Sequence, residues 1–516
     1  MAQNAIPHLL ASVAAKQPDN IAVTFFRKGK IETELTYSQL LRDINAFALF
    51  LSGAGIRKSD RVILLIEKSL LAVVAHFAIL RLGAIAVPLN PGFKPSELDY
   101  LLHDADAKLI ITDLEKEEFI RAIDPTIRIV AVSAQQAYGE IDFFRDCRTS
   151  LPEIKIRPID PGLIIYTSGT TGNPKGAVLT HGNLIHDARN IIDIWRISQA
   201  DILCHALPLF HIHGLSFALH TALLSGAQVR MLDRFTSETV LGLLSGKPDG
   251  PACTVFMAVP TMYSKLMDDL GDQPQQLKSL RLLTSGSAPL PVKEFQRIER
   301  LFGLRPVERE GMSETGMNFS NPLDGEQKPG SIGLPLPDLD VRIVNPETLK
   351  DVTAGEIGEF WLKSPAITPG YWRKPRETAD AFMDGWFRTG DLGHVDRDGY
   401  YYLTDRMKHI IITGGENVSA KEVETVINAI EGVVESSVVG IPDDKWGEKV
   451  VAAVAAKPGS RLTVIEIQSV CKARLHDWKC PKEIKFVTGI PKNTMGKMRK
   501  DVVKRFFCET INSGTL

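Results

Sequence analysis

The chain has 516 residues, more than one hydrophobic core usually supports, so two or more domains are expected. Lys plus Arg number 60 against 62 Asp plus Glu, a formal net charge of -2, which excludes a global basic field for nucleic acid or an acidic membrane. Hydrophobic residues at 44%, charged residues at 24%, and 40 Gly and 30 Pro spread along the chain exclude a disordered or fibrous protein.

The opening stretch, MAQNAIPHLLASVAAKQPDN, lacks a basic start followed by a long apolar run, so it reads as a short amphipathic helix and not as a secretory signal. Thr36 and Gln39 form a capping-box pattern ahead of Leu40, Leu41, Ile44, Phe47, Ala48 and Leu51, and Gly53 and Gly55 close that helix. Residues 61–66 then read as a strand, 69–82 as a helix, 84–87 as a strand, 95–104 as a helix and 109–112 as a strand. Residues 70–89 are the most apolar, yet His76 and Arg81 interrupt them and Gly83 and Pro88 close them. A buried helix followed by a buried strand is expected there, not a bilayer span. Strands alternating with helices predict an α/β fold of parallel sheets covered on both faces, with ligands at the carboxyl ends of the strands.

After Trp386 the texture changes to a turn-rich stretch whose aromatics around Asp398-Gly399 suggest a hairpin. Helices at 420–430 and 463–475 with strands at 434–441, 450–456 and 484–487 make a compact α+β unit. The polar turn from Arg406 to Lys408 separates two sets of elements that can each close a core. The expected organisation is a large domain over 1–405, a hinge at 406–408 and a small domain over 409–516. Six cysteines, Cys147, Cys204, Cys253, Cys471, Cys480 and Cys508, lie far apart with no C-x-x-C, so they read as thiols in a reducing compartment. The expected location is cytoplasmic.

The strongest local signal is Tyr166-Thr-Ser-Gly-Thr-Thr-Gly-Asn-Pro-Lys-Gly176, directly after an apolar strand. Glycines Gly169 and Gly172 admit a close phosphate, the hydroxyls of Thr167, Ser168, Thr170 and Thr171 donate, and Lys175 adds a point charge. It is a phosphate cradle, and it differs from the P-loop, because GxxxxGK[ST] has no match in the chain.

Seven further segments follow in order: PLFHIHGL from Pro208, SGSAPL from Ser285, GMSET from Gly311, GEIGEFWLKSPAITPGYW from Gly355, WFRTGD from Trp386, TDRMKHIIITGGENVS from Thr404 and PKNTMGKMRK from Pro491. With the phosphate loop they resemble, through nearly the whole chain, the adenylate-forming superfamily of acyl-CoA synthetases, adenylation domains and luciferases. The resemblance implies a large N-terminal α/β domain and a small C-terminal domain that rotates about a hinge. It implies ATP, Mg²⁺ and coenzyme A, a carboxylate as substrate, and two steps. The acid and ATP give an acyl-adenylate and pyrophosphate, and the CoA thiol then displaces AMP. No nucleic-acid partner and no integral membrane segment are implied, and the oligomeric state stays open.

Residue by residue, the resemblance gives Lys497 as the lysine bridging the attacking carboxylate and the α-phosphate, and Glu314 as the Mg²⁺ ligand with Thr170 as its partner. Nucleotide contacts fall on Thr167, Ser168, Gly169, Thr170, Thr171, Gly172 and Lys175, on Gly286, Ser287 and Ala288, and on Glu310, Gly311, Met312 and Ser313. Asp391 takes the ribose hydroxyls, and Arg406 reaches ribose or phosphate. Lys408 is the hinge residue, and the Gly414-Gly415 face lines a pantetheine channel. His211 is expected at the acyl and thiol entrance, with Ser285 beside the acyl group, whereas His213 reads equally as a core histidine and is left out of the site. Relatives carry an aromatic where this chain has Glu310; a carboxylate cannot stack on adenine, so looser nucleotide affinity is expected.

The nearest subfamily in likeness is the malonyl-CoA synthetases, carried by HALPLFHIHGL, LRLLTSGSAPL and GMSETGMNFSNPLDG, with Arg281 as the expected cation for a distal carboxylate. The leading expectation is thus an AMP-forming carboxylate–CoA ligase for a short dicarboxylate such as malonate or methylmalonate. A medium- or long-chain fatty-acid–CoA ligase and a free-standing adenylation enzyme loading a carrier protein are the alternatives. Pro208 to Leu215 holds no acid to bind a substrate ammonium, which disfavours amino acids. A nucleotide-binding regulator without catalysis, prompted by Glu310, is opposed by the joint presence of Lys497, Glu314 and Asp391.

Overall fold

The computed structural model describes residues 5–133, 136–141, 153–167, 173–247, 250–271, 273–414, 416–493 and 496–508, without the side chain of Ser96. The chain divides into two compact units, Met1–Asp340 with Leu362–Phe387, and Val341–Trp361 with Arg388–Leu516. Contacts thus group residues 341–361 and 388–405 with the C-terminal residues, whereas the sequence places those stretches in the large domain. Among the described residues no helix is long and apolar enough to cross a membrane.

The larger unit holds two sheets. The first has nine strands in the order Leu334–Pro335, Gly316–Ser320, Val307–Met312, Leu282–Ser285, Val255–Ala258, Ile202–His205, Gln228–Leu232, Ile21–Arg27 and Lys30–Thr36. Its interior pairs are parallel, as alternating strands and helices require. Its two edges are antiparallel hairpins, one of them closed at Lys28 and Gly29, both with positive φ. The second sheet runs Gly370–Tyr371, Lys175–Thr180, Pro161–Thr167, Ile85–Pro88, Arg61–Leu65, Leu109–Asp113 and Arg128–Val132.

The helices follow the sequence signals. Tyr37–Gly53 starts at the Thr36–Gln39 capping box, both of whose bonds are made, a feature of about 1 kcal/mol. Leu70–Arg81 is buried on every face from Leu70 to Leu80, which explains an apolar run without amphipathic period.

The strand Trp386–Val395, which enters the smaller unit at Arg388, pairs with Tyr401–Arg406 as the expected hairpin. The smaller unit also contains a sheet ordered Glu416–Ser419, Ile410–Thr413, Gly447–Ala456 and Val433–Asp443, with Glu483–Val487 parallel to Gly447–Ala456. Helices Ala420–Asn428 and Val464–Arg474 cover one face through Val423, Ile427, Ile467 and Cys471. Helix Lys500–Cys508 covers the other through Val503 and Phe507.

Candidate active site

The phosphate loop joins two antiparallel strands, with Thr167 opposite Lys175. Ser168, Gly169, Thr170, Thr171 and Gly172 lie outside the described residues, but both flanks are held. The Tyr166 hydroxyl donates to Asp104 Oδ2 at 2.8 Å. Lys374 Nζ sits 2.8 Å from Asp104 Oδ1. The Tyr100 hydroxyl lies 3.0 Å from the same Oδ1 and 3.1 Å from the Pro174 carbonyl.

Beside these flanks, Glu314 is 7% exposed, in the turn between strands Val307–Met312 and Gly316–Ser320. Its Oε1 accepts from the hydroxyls of Thr167 (3.0 Å) and Tyr371 (3.3 Å), and its carbonyl accepts from the Thr368 N–H (2.7 Å). Lys175 Nζ stands 5.3 Å from the Tyr371 ring centroid. Burial, and then the Glu314 charge, push the Tyr371 phenol well above its usual range, so it stays a donor. Three separate segments therefore bring Thr167, Lys175 and Glu314 together. Glu314 Oε2 makes no hydrogen bond among the described residues, and an oxygen-only set of this kind suits a hard cation such as Mg²⁺.

Strands Ile202–His205, Val255–Ala258 and Leu282–Ser285 end side by side. After His205 the chain turns into a π-helical segment, His213–His220. A Cβ on Gly214 would lie 2.1 Å from the Pro208 carbonyl oxygen, so only glycine permits this entry. His205 Nε2 sits 2.8 Å from the Gly214 carbonyl, which fixes the proton on Nε2. His205 Nδ1 is buried without a partner, and so are His213 Nε2, Ser216 Oγ and Ser285 Oγ. His213 Nδ1 lies 3.1 Å from Ser287 Oγ, and Ser287 adopts φ +68° to present it. Burial lowers the pKa of His205 to about 3 and that of His211 to about 4, and that of His213 falls well below its ordinary value. All three are neutral near pH 7. His211 is half-buried with its ring 4.6 Å from that of Phe210. His213, left out of the expected site, joins it.

Arg309 is 4% exposed, with its guanidinium 5.2 Å from the Phe217 ring centroid. Its Nε and Nη2 are buried and make no hydrogen bond among the described residues. A Cβ on Gly286 would come within 2.6 Å of Arg309 Cζ, so the SGSAPL turn approaches the guanidinium because it carries glycine there. Burial lowers the Arg309 pKa to about 10, opposed by Glu310, Asp187 and Tyr263, so the charge persists at neutral pH. Asp187 Oδ1 accepts from the Met317 N–H at 2.8 Å, and burial raises its pKa to about 7.

Arg281 requires correction. It stands at the amino end of Leu282–Ser285, opposite the end that carries Ser285. Its Nε and Nη2 grip Asp201 Oδ1 and Oδ2, each at 2.7 Å, and Nη1 and Nη2 donate to the carbonyls of Trp195 and Arg196, both at 3.0 Å. It is an internal tie and does not hold a substrate carboxylate. Of the remaining expected contacts, Gly286, Ala288, Gly311, Met312 and Ser313 follow the carboxyl ends of their strands or lie within them. Glu310 Oε2 accepts from the Asn318 amide at 3.0 Å.

In the smaller unit Asp391 and Arg406 face each other across the hairpin. Arg406 Nε stands 2.7 Å from Asp391 Oδ1, an ion pair by distance; Oδ1 nevertheless lacks a well-angled hydrogen bond and remains an open acceptor. Asp405 Oδ2 accepts from the Ser419 hydroxyl (2.6 Å) and the Lys421 N–H (3.0 Å) at the start of helix Ala420–Asn428. Lys408 lies exposed on the turn Met407–His409. Gly414, at φ +61°, donates its N–H to the Trp446 carbonyl at 2.8 Å, and Gly415 lies outside the described residues. The Lys497 N–H donates to Asn493 Oδ1 at 2.9 Å, and the Asn493 N–H donates to the Lys497 carbonyl at 2.9 Å, closing a turn that carries the lysine.

Residues 10–372 match the family of AMP-binding enzymes, and residues 422–497 match the AMP-binding enzyme C-terminal domain. The chain belongs to the adenylate-forming superfamily. This adenylate-forming enzyme is 34% identical to a long-chain-fatty-acid–CoA ligase of Bacillus subtilis, over 95% of this chain and 92% of the relative. It is 34% identical to a mitochondrial malonate–CoA ligase of Xenopus laevis, over 86% of this chain and 82% of the relative. The crystal structure of ATP-bound MatB from Rhodopseudomonas palustris superposes with a TM-score of 0.91 at 34% identity, over 99% of this chain and 100% of that one. The adenylate-forming enzyme is an AMP-forming acid–thiol ligase that uses ATP, Mg²⁺ and coenzyme A.

Proposed function

We propose that this ligase activates a short dicarboxylate, of the malonate or methylmalonate kind, as an acyl-adenylate and passes it to CoA. The supporting observation is the set of buried, unpartnered polar atoms at the strand ends: His205 Nδ1, His213 Nε2, Ser216 Oγ and Ser285 Oγ. Polar atoms left unpaired in a dry interior are costly, and an alkyl chain would leave them so, whereas a short polar acid supplies partners. A fatty-acid substrate is the second reading, favoured by the Bacillus subtilis relative.

In this reading the carboxylate and the ATP α-phosphate, both anions, must be brought together and charge stabilised at phosphorus. Lys497 bridges the two. Lys175 and the loop donors, from Thr167 to Gly172, cradle the phosphates. Glu314, with Thr170, would hold Mg²⁺, which would supply neutralising charge to the phosphates. Asp391 accepts the ribose hydroxyls beside Arg406. The hinge at 406–408, with Lys408, lets Lys497 withdraw after the first step and the Gly414-Gly415 face serve the thiol arm. His211 guards the acyl entrance. Dispersed thiols fit a reducing compartment such as the cytoplasm.

The test is AMP formation by the purified chain with ATP, Mg²⁺ and CoA against acetate, malonate, methylmalonate, benzoate, octanoate and palmitate, with Lys497→Ala as control. CoA-dependent turnover concentrated on malonate and methylmalonate is expected. Preference for octanoate or palmitate overturns the dicarboxylate reading while the ligase assignment stands. Adenylate formation that CoA fails to discharge would favour a carrier protein as acceptor.

A further inference from the structure

We propose that Asp104 is a positioning residue for adenylation, its carboxylate fastening both flanks of the phosphate loop and the 371–374 segment into one frame that presents Thr167, Lys175 and Glu314. The inference rests on the phosphate-cradle reading of that loop and holds whichever acid is activated.

Asp104 stands in the last turn of helix Pro95–Ala105. The helix dipole disfavours a carboxylate there, so its place is explained by what it binds and not by the helix it ends. The side chain is 7% exposed, and both oxygens are engaged. Oδ2 accepts from the Tyr166 hydroxyl at 2.8 Å. Oδ1 meets the Tyr100 hydroxyl at 3.0 Å and the Lys374 ammonium at 2.8 Å. Burial, and then the Asp104 bond and charge, hold the Tyr166 phenol well above its usual range, so it stays a donor. The backbone of the same residue is used as well. Its carbonyl, near the helix end where carbonyls lose their intrahelical partners, accepts from the Trp372 indole at 3.1 Å.

Each partner leads to the nucleotide side. Tyr166 precedes Thr167 in strand Pro161–Thr167, and side chains alternate faces along a strand, so gripping Tyr166 on one face fixes Thr167 on the other. Thr167 there meets Glu314 Oε1 at 3.0 Å and pairs in register with Lys175. On the far flank the Tyr100 hydroxyl lies 3.1 Å from the carbonyl of Pro174, the residue before Lys175. The Trp372 N–H donates at 2.8 Å to the carbonyl of Gly176, the residue after it. Trp372 and Lys374 follow Tyr371, whose hydroxyl reaches Glu314 Oε1 at 3.3 Å and whose ring centroid is 5.3 Å from Lys175 Nζ. One buried carboxylate thus ties three segments distant in sequence, and a displacement of about 1 Å in groups that hold a reacting ligand costs on the order of 100-fold in rate. Asp106 provides the contrast: two residues on, its carboxylate pairs with Arg61 and Arg373 and is half exposed.

The experiment compares the wild-type chain with Asp104→Asn, Tyr166→Phe, the double variant, Lys175→Ala and Asp106→Asn, using the acid that the wild type activates fastest. Two rates are read for each, ATP–pyrophosphate exchange and thioester formation from synthetic acyl-adenylate with CoA, together with the KM for ATP and the melting temperature. In Asp104→Asn the exchange kcat/KM for ATP falls about 10- to 100-fold, while thioester formation, which involves no β- or γ-phosphate, stays within about 2-fold. Tyr166→Phe keeps the ring packing, falls part of the way, and carries the test should the asparagine variant not fold. The double variant falls little further than Asp104→Asn, because the two residues act through one bond. Asp106→Asn retains wild-type exchange. Exchange that survives Asp104→Asn and Tyr166→Phe while Lys175→Ala loses it, or equal loss of both rates in the Asp104 variant, overturns the inference and leaves the cradle reading standing. Exchange that survives Lys175→Ala removes the cradle reading and the inference with it.

Discussion

Two arginines of similar sequence appearance have opposite fates. Arg281 has its carboxylate, Asp201, and two carbonyls. Removing it strands Asp201, which is 4% exposed, so Arg281→Ala is expected to lower stability by ~2–3 kcal/mol in denaturant titration, with acid selectivity unchanged. Glu314 gathers Thr167 and Tyr371 and offers a second oxygen. Glu314→Gln keeps the shape but loses the charge, so kcat/KM for adenylation, read by pyrophosphate exchange, should fall ~100-fold or more and the Mg²⁺ concentration for half-maximal rate should rise. Glu314, Asp391 and Lys497 were singled out because each sits in a segment whose residue types the proposed chemistry would need. Arg309 and His213 were not. Val307-Glu-Arg-Glu310 reads as a solvated charged edge, and only the pairing of Val307–Met312 between Leu282–Ser285 and Gly316–Ser320 turns Arg309 inward. The alternation of a strand tells which residues share a face, not which face is buried.

At the scale of elements, the helices and interior strands were legible from caps and periods, and Tyr37–Gly53 keeps the box that announced it. Antiparallel edges were harder to see. The pairing of Pro161–Thr167 with Lys175–Thr180 makes the phosphate loop a hairpin connection, and nothing in its glycines distinguishes that from a strand-to-helix turn. The hairpin Trp386–Val395 and Tyr401–Arg406 was foreseen, but its tie to helix Ala420–Asn428 through Asp405 was not. Burial opposes the Asp405 charge, yet donors from His409, Lys421, Ser419 and Arg406 outweigh it and hold its carboxyl well below the carboxylate range. A carboxyl depressed in the folded state stabilises above its unfolded pKa, near 4, and loses that contribution as pH falls towards the folded value. Asp405→Asn should therefore cost ~1–2 kcal/mol at pH 7, and its unfolding curve should converge on the wild type as pH drops below about 4.

At the scale of the whole molecule, the two units carry complementary parts of the proposed chemistry: Lys175, Glu314 and the acyl pocket in one, Asp391, Arg406 and Lys497 in the other. If Lys497 serves only adenylation, Lys497→Ala should depress ATP–pyrophosphate exchange by ~100-fold or more and spare thioester formation from synthetic acyl-adenylate supplied with CoA. Equal loss in both assays would assign the lysine a different part. Lys408→Pro, which stiffens the expected pivot, should show the converse pattern, with the second step slowed more than the first.

The contact between Gly286 and Arg309 also couples what can happen at these two positions. A methyl group at position 286 would come within 2.6 Å of the Arg309 guanidinium, so Gly286→Ala requires the end of that side chain to shift. Loss of Arg309 opens the space that a side chain at 286 could then fill. A lineage that has filled position 286 must empty it before an arginine can return.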